Sequence, residues 1–264
     1  MKITRRSFGV LLSTSIVMAR ASAADSKPLV LVAGASGATG KQIVAALVKH
    51  GYRVRGLTRD PAMAAKAGGP QIEWVKGDVR DAATLPTALK GVGAVMCAVG
   101  AREPQGDNSP EKVDYEGVRN LIDASKAAGV AHFVVESSCN VTIPEHNFNK
   151  IFNGLLLWKM KAEDHLRASG VAFTIVRPPQ LLDEPGGIKG IRIQQGDVGG
   201  AGQIARADVA AVMVAALSEP AMRNTTFEIF GAATLPVDGW RKALYLLKPN
   251  CFDRATCNLP TRKS

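Results

Sequence analysis

Residues 28–51 constrain the fold more than any other stretch. Residues 28–33, Pro-Leu-Val-Leu-Val-Ala, form an almost unbroken apolar run of strand length, the pattern of a strand buried on both faces. Residues 41–50 carry Ile43, Val44, Leu47 and Val48 on one helical stripe, and Gly51 suits the helix's C-terminal end. Between the two lies Gly34-Ala35-Ser36-Gly37-Ala38-Thr39-Gly40. Gly34 permits the tight turn, Gly37 lets the main chain approach a ligand with no Cβ in the way, and Gly40 lets helix lie against strand. The amides around Ser36, Ala38 and Thr39 then sit at the positive end of the helix dipole, a cradle for a pyrophosphate. Strand before and helix after are the context such a glycine pattern needs.

The rest of the chain repeats strand and helix with little slack. Further strands are expected over 52–57, 72–75, 94–99, 131–136, 171–176 and 226–230, and helices over 82–90, 111–128, 152–169 and 207–217. That order implies parallel pairing with right-handed crossovers. The expected fold is therefore α/β, a Rossmann-type doubly wound parallel sheet in a single domain over residues 28–248. Residues 178–203, rich in Gly and Gln, read as a long irregular loop on the substrate side, and 249–264 as a loosely packed tail. A length of 264 residues suits one large domain, and 46% hydrophobic with 21% charged residues excludes a disordered chain.

The first 23 residues read as an address. Met1–Arg6 is basic, residues 8–18 are mostly apolar, and Ala21-Ser22-Ala23 closes the segment with small residues. Thr4-Arg5-Arg6-Ser7-Phe8 resembles a twin-arginine translocation signal, which implies a periplasmic or otherwise exported protein with no stable membrane span after cleavage. Removing Lys2, Arg5, Arg6 and Arg20 lowers the net charge from +10 to +6. No dense basic run with interleaved aromatics occurs, so no nucleic-acid partner is expected. Cys251 and Cys257 are spaced so that they could pair in an oxidising compartment, while Cys97 and Cys139 read as buried free thiols. His50, His132, His146 and His165 lack the spacing of metal ligands, and no metal is expected.

The Gly-x-x-Gly-x-x-Gly spacing resembles the short-chain dehydrogenase/reductase superfamily in its extended and atypical branches. At the end of the second strand stands Arg59 rather than an acid, a fork suited to the 2′-phosphate of NADP. Asp60 beside it leaves NAD open. The resemblance assigns Gly77-Asp78-Val79 to the adenine, Ala98-Val99-Gly100 to the floor beneath the nicotinamide-side ribose, and Ser137 and Ser138 to the substrate. From Asn153, the text Asn-Gly-Leu-Leu-Leu-Trp-Lys-Met-Lys-Ala-Glu-Asp-His-Leu-Arg leads to Arg177-Pro178. Arg206-Ala-Asp-Val-Ala and Asn224-Thr-Thr-Phe-Glu follow. This order is similar to atypical NAD(P)H-binding, epimerase-like proteins, which include relatives of a nitrogen-repression redox sensor.

In that resemblance Lys161 takes the place of the lysine that holds the nicotinamide ribose, and Pro178 opens the substrate lid. The partner tyrosine belongs four residues earlier on the same helix face, where this chain has Leu157, which has no proton to give. Tyr115, on an earlier helix, reads as a packing residue. Two functions stay open. One is an oxidoreductase of unknown small-molecule substrate, with protons handled by Ser137, Ser138, Lys161 or water. The other is a non-catalytic dinucleotide-binding redox sensor or assembly protein.

Overall fold

In the computed structural model, which describes residues 27–68 and 71–260, the apolar run forms β1 (Leu29–Ala33), and all five of its residues are buried. Its side chains alternate. Leu29, Leu31 and Ala33 enter one core with helices α3 (Leu85–Leu89), α4 (Val118–Ala127) and α6 (Leu155–Ala168), while Val30 and Val32 enter the other. That second core is closed by α1 (Ala38–Lys49) and α7 (Arg206–Ala215). A strand between two helical layers has no polar face, which is why its sequence reads as a continuous apolar run. The export segment at residues 1–23 lies outside the described residues.

Strands β2 (Arg53–Thr58) and β3 (Ile72–Lys76) extend the sheet to one side of β1. On the other side come β4 (Ala94–Cys97), β5 (His132–Glu136), β6 (Phe173–Arg177), β10 (Thr225–Ala232) and β8 (Gly190–Gln194), in the order β3-β2-β1-β4-β5-β6-β10-β8. The winding reverses between β1 and β4, and ligands of such sheets bind outside the strand carboxyl ends at that point. Every pairing in this sheet is parallel except β8 on β10.

The sheet is the expected doubly wound parallel one with a single antiparallel edge strand, and that strand lies in the stretch 178–203 expected as an irregular loop. Ile191 is buried, Arg192 exposed and Ile193 half-buried, a period of two that lays β8 antiparallel along the sheet edge. Within the same stretch β7 (Gln180–Leu182) pairs in parallel with β9 (Gln203–Ala205). Two helices also differ. The one expected over 111–128 opens with a π-helical segment at Glu111–Gly117 before α4. The one expected over 152–169 is divided into α5 (Asn147–Ile151) and α6, because Gly154 takes φ +77° between them. Helices α2 (Pro61–Gly68) and α8 (Trp240–Ala243) complete the fold.

The described part of the tail, residues 249–260, is tied down rather than loose. Cys251 is buried and forms a disulfide with Cys257, and the Phe252 carbonyl accepts a 2.7 Å bond from Arg177 Nη1. Cys97 and Cys139 are buried free thiols pushed up to about 12 by burial, which leaves neither as a ready nucleophile. Among the described residues no helix is long and apolar enough to cross a membrane.

Candidate functional site

The glycine loop opens a crevice of about 700 Å³ at the switch point. Gly34 sits at φ +84°, and a Cβ there would come within 2.5 Å of the Ala98 carbonyl oxygen. A Cβ on Gly40 would collide with the Gly34 carbonyl, so only glycine lets α1 pack this close. Gly37 N donates to Gly34 O at 2.8 Å and closes the turn. Gly37 is the N-cap of α1 and makes no side-chain cap bond, so the amides of the first turn remain available to an anion. Gly34, Ser36, Gly37 and Ala38 line the crevice, while Thr39 lines its inner end. Loop, uncapped helix and a rim with Lys41, Arg59 and Arg80 fit a dinucleotide's phosphates.

The adenosine end is built from β2 and β3. Arg59 is exposed, with a single long contact of 3.4 Å to Asn108 Oδ1. Asp60 also lines the crevice, with its Oδ1 accepting from Met63 N at 3.0 Å at the head of α2. Asp78 and Val79 line the crevice, but the Asp78 carboxylate is engaged by Arg80, whose Nη2 lies 2.6 Å from Oδ2 and whose Nε bonds both oxygens. That guanidinium holds the Asp78 carboxyl below its ordinary value against a smaller opposing push from burial. Arg80 carried no signal of its own beyond following Asp78.

Ala98, Val99 and Gly100 line both the crevice and an adjoining inner pocket of about 350 Å³. Pro178, Ser137 and Ser138 also line that pocket, together with Glu136, Lys159 and Arg206. Ser137 is buried and donates its hydroxyl proton to Glu163 Oε1, whereas the Ser138 hydroxyl donates to Cys139 O at 3.1 Å. The Glu163 carboxylate in turn holds Arg177, which is wholly buried. Burial raises the Glu163 carboxyl, and Arg177 overcomes that to hold it below its ordinary value.

Lys161 does not reach this pocket. It is exposed, with Nζ 4.1 Å from the Trp158 ring and 5.7 Å from the Tyr115 ring. Lys159 stands there instead, its Nζ 2.8 Å from the wholly buried Asp114 carboxylate. Two residues turn a helix by about 200°, so the two lysines occupy opposite faces. In the run Trp-Lys-Met-Lys, spacing alone does not say which lysine faces inward. The residue four before Lys159 is Leu155, so the tyrosine position holds a leucine with either lysine. Tyr115 stacks on Trp158 at 5.7 Å, a packing contact. Burial depresses the Lys159 ammonium, and Asp114 more than offsets it, so its affinity for the proton rises above that of an ordinary lysine.

Glu136, the last residue of β5, was hidden in sequence as the end of an apolar strand. It is buried, and its Oε1 accepts from Thr39 Oγ1 at 3.2 Å. Desolvation raises its carboxyl above the ordinary value, against the opposing influence of Lys159, Thr39 and Arg206. Arg206 reaches over from α7, bonding Thr39 Oγ1 at 3.3 Å and Asp183 at 2.9 Å.

A glycine-loop crevice at the switch point of this sheet defines a dinucleotide-binding protein with a reductase-like fold. Residues 34–220 match the family described as NAD(P)H-binding, and the chain belongs to that family. A chloroplastic protein of Arabidopsis thaliana designated At2g37660 is 36% identical over 81% of this chain and 72% of its own length. Sanguinarine reductase of Eschscholzia californica is 34% identical over 77% of this chain and 89% of its own. Among solved structures, a Bacillus halodurans protein described as an NAD-dependent epimerase/dehydratase superposes with a TM-score of 0.72 over 82% of this chain and 100% of its own. At 22% identity it speaks to fold alone. The expected periplasmic destination is corrected by these relatives. The Arabidopsis protein and two further plant relatives are chloroplastic proteins, not periplasmic ones.

Proposed function

We propose that the protein is an NADPH-dependent reductase of a small organic substrate that works without the superfamily's tyrosine. The observation that carries this is the inner pocket, where Lys159, Ser138 and Glu136 meet at the end of a dinucleotide-sized crevice. The amides of Ser36, Gly37, Ala38 and Thr39 hold the pyrophosphate, and Gly34 and Gly40 shape that turn. Arg59 meets the 2′-phosphate, Asp78 and Val79 flank the adenine, and Ala98, Val99 and Gly100 form the floor of the nicotinamide-side ribose. The exposed Arg59 fork at the crevice supports NADP over NAD, and the α2 capping bond occupies one carboxylate oxygen of the neighbouring Asp60. Lys159, braced by Asp114, anchors the ribose. Ser138 with Pro178, Pro179 and Leu181 forms the substrate wall. When bound, the reduced nicotinamide supplies a hydride.

Sanguinarine reductase among the relatives supports a reductase and suggests planar heteroaromatic acceptors. Thermal shifts with NAD, NADH, NADP and NADPH test binding, because a ligand of the native state raises the melting point. NADPH is expected to give the largest shift, and Arg59→Ser to remove its advantage over NADH. NADPH oxidation is then followed with sanguinarine and with azo and quinone acceptors. Tight binding with no turnover by any acceptor would favour the redox-sensor reading.

A further inference from the structure

We propose that Glu136 is the proton donor of this site, taking the part a tyrosine would play, an inference that rests on the reductase reading above. Reduction of a neutral acceptor such as an azo or quinone group takes a proton as well as a hydride, unlike that of a cationic iminium such as sanguinarine, and the other polar groups of the inner pocket are poorly suited to give that proton. The Ser137 hydroxyl is committed to Glu163, a buried carboxylate held below its ordinary value. Ser138 spends its proton on the Cys139 carbonyl. Lys159, paired with Asp114 at 2.8 Å, keeps its proton more firmly than an ordinary lysine. The Arg206 guanidinium does not deprotonate in proteins, and no tyrosine lines the pocket among the described residues.

Glu136 differs from all of these. It ends β5 at the carboxyl edge of the sheet, where ligands of doubly wound folds bind. It is 9% exposed and lines the pocket beside Ser138 and Pro178. Burial favours its neutral, proton-bearing form. With the buried, protonated Cys97 thiol on β4 nearby, the charged and hydrogen-bonding groups facing it are Thr39 on α1, Lys159 on α6 and Arg206 on α7. These three receive the carboxylate that a donor leaves behind, so the pocket suits both states of the cycle.

The balance closes. The substrate gains two electrons and one proton as hydride from the dinucleotide, and a second proton from the Glu136 carboxyl to the neighbouring heteroatom. The Glu136–oxygen proton bond breaks, a carboxylate remains beside Lys159, and solvent returns its proton.

Infrared difference spectra of wild type and Glu136→Gln test the protonation state with no substrate present. At neutral pH the wild type should show the carbonyl stretch of a neutral carboxylic acid that the variant lacks. Calorimetry should find NADPH binding to Glu136→Gln within a few-fold of wild type, since the glutamine Oε1 still accepts from Thr39 at the edge of the cradle; this also certifies the fold. With a neutral azo or quinone acceptor turned over by wild type, Glu136→Gln should lose about a hundredfold or more in kcat with KM little changed, and lose the alkaline limb of the pH profile. Glu136→Asp should recover part of the rate and that limb. Missing the carboxylic-acid band, or an unaltered kcat and pH profile in Glu136→Gln, overturns the donor role while leaving a reductase. No NADPH oxidation by wild type with any acceptor removes the reductase reading and the donor role with it.

Discussion

Two lysines one helical turn-half apart separate a binding role from a surface role. Lys159 Nζ is ion-paired to a wholly buried carboxylate at the inner pocket, while Lys161 lies over Trp158 at the surface. A hydrogen bond to a charged group is worth about 1.5–3 kcal/mol, whereas an exposed cation–π contact is worth about 0.5–1 kcal/mol and Lys161 lies outside the inner pocket. Lys159→Ala is therefore expected to weaken NADPH binding by about tenfold to a hundredfold, and Lys161→Ala by less than about twofold. Calorimetric titration decides it, with Lys159→Arg as the control that keeps the charge beside Asp114. If Lys161→Ala proved the more damaging, the inward lysine would have been misassigned.

At the scale of elements, the tail and β6 are coupled through a buried arginine. Arg177, ending β6, binds Glu163 of α6, Glu228 of β10 and the Phe252 carbonyl, and Gln195 bonds the carbonyls of Lys248 and Cys251. The disulfide closing residues 251–257 holds Phe252 at that arginine. A loop this short loses about 2 kcal/mol of denatured-state entropy when closed. Cys251→Ser, or reduction by a dithiol, should lower stability by about that amount in urea melts; unchanged melts would show that the tail contributes nothing. Spacing left a Cys251–Cys257 pairing open without deciding it, whereas β1, the glycine loop and the strand–helix alternation were legible because each is a local pattern. The order of β8 against β10 was not, since Gly190, Gly196, Gly199 and Gly200 mask the alternation of Ile191, Arg192 and Ile193. Nor were Glu136 and Lys159, whose roles depend on which way a side chain faces once strands 40 residues apart in sequence lie side by side.

Over the whole molecule, two buried groups titrate in opposite senses. His132, at the head of β5 with Nε2 3.0 Å from Thr174 Oγ1, is pushed from 6.5 down to about 4 by burial and then by Arg223. Glu228 is pushed from 4.5 up to about 7, because burial outweighs Arg177, a cation already shared with Glu163. Between about pH 4 and 6.5 the unfolded chain binds a proton that native His132 refuses, so that contribution to stability grows as pH rises and is lost as pH falls. Between 4.5 and about 7 native Glu228 holds a proton that the unfolded chain releases, so its contribution is lost as pH rises. The windows overlap between 4.5 and 6.5, where the two slopes oppose each other. Glu228→Gln keeps an acceptor for Arg177 but removes one slope. Its stability relative to wild type should therefore climb with pH across that window, by an amount on the order of 2–3 kcal/mol if the shift is as large as burial implies. Surface carboxylates titrate alike in both proteins and cancel in the difference. Urea melts at half-unit pH steps give the two profiles, and parallel curves would mean that Glu228 is ionised in the native state throughout, with Arg177 rather than burial setting its charge.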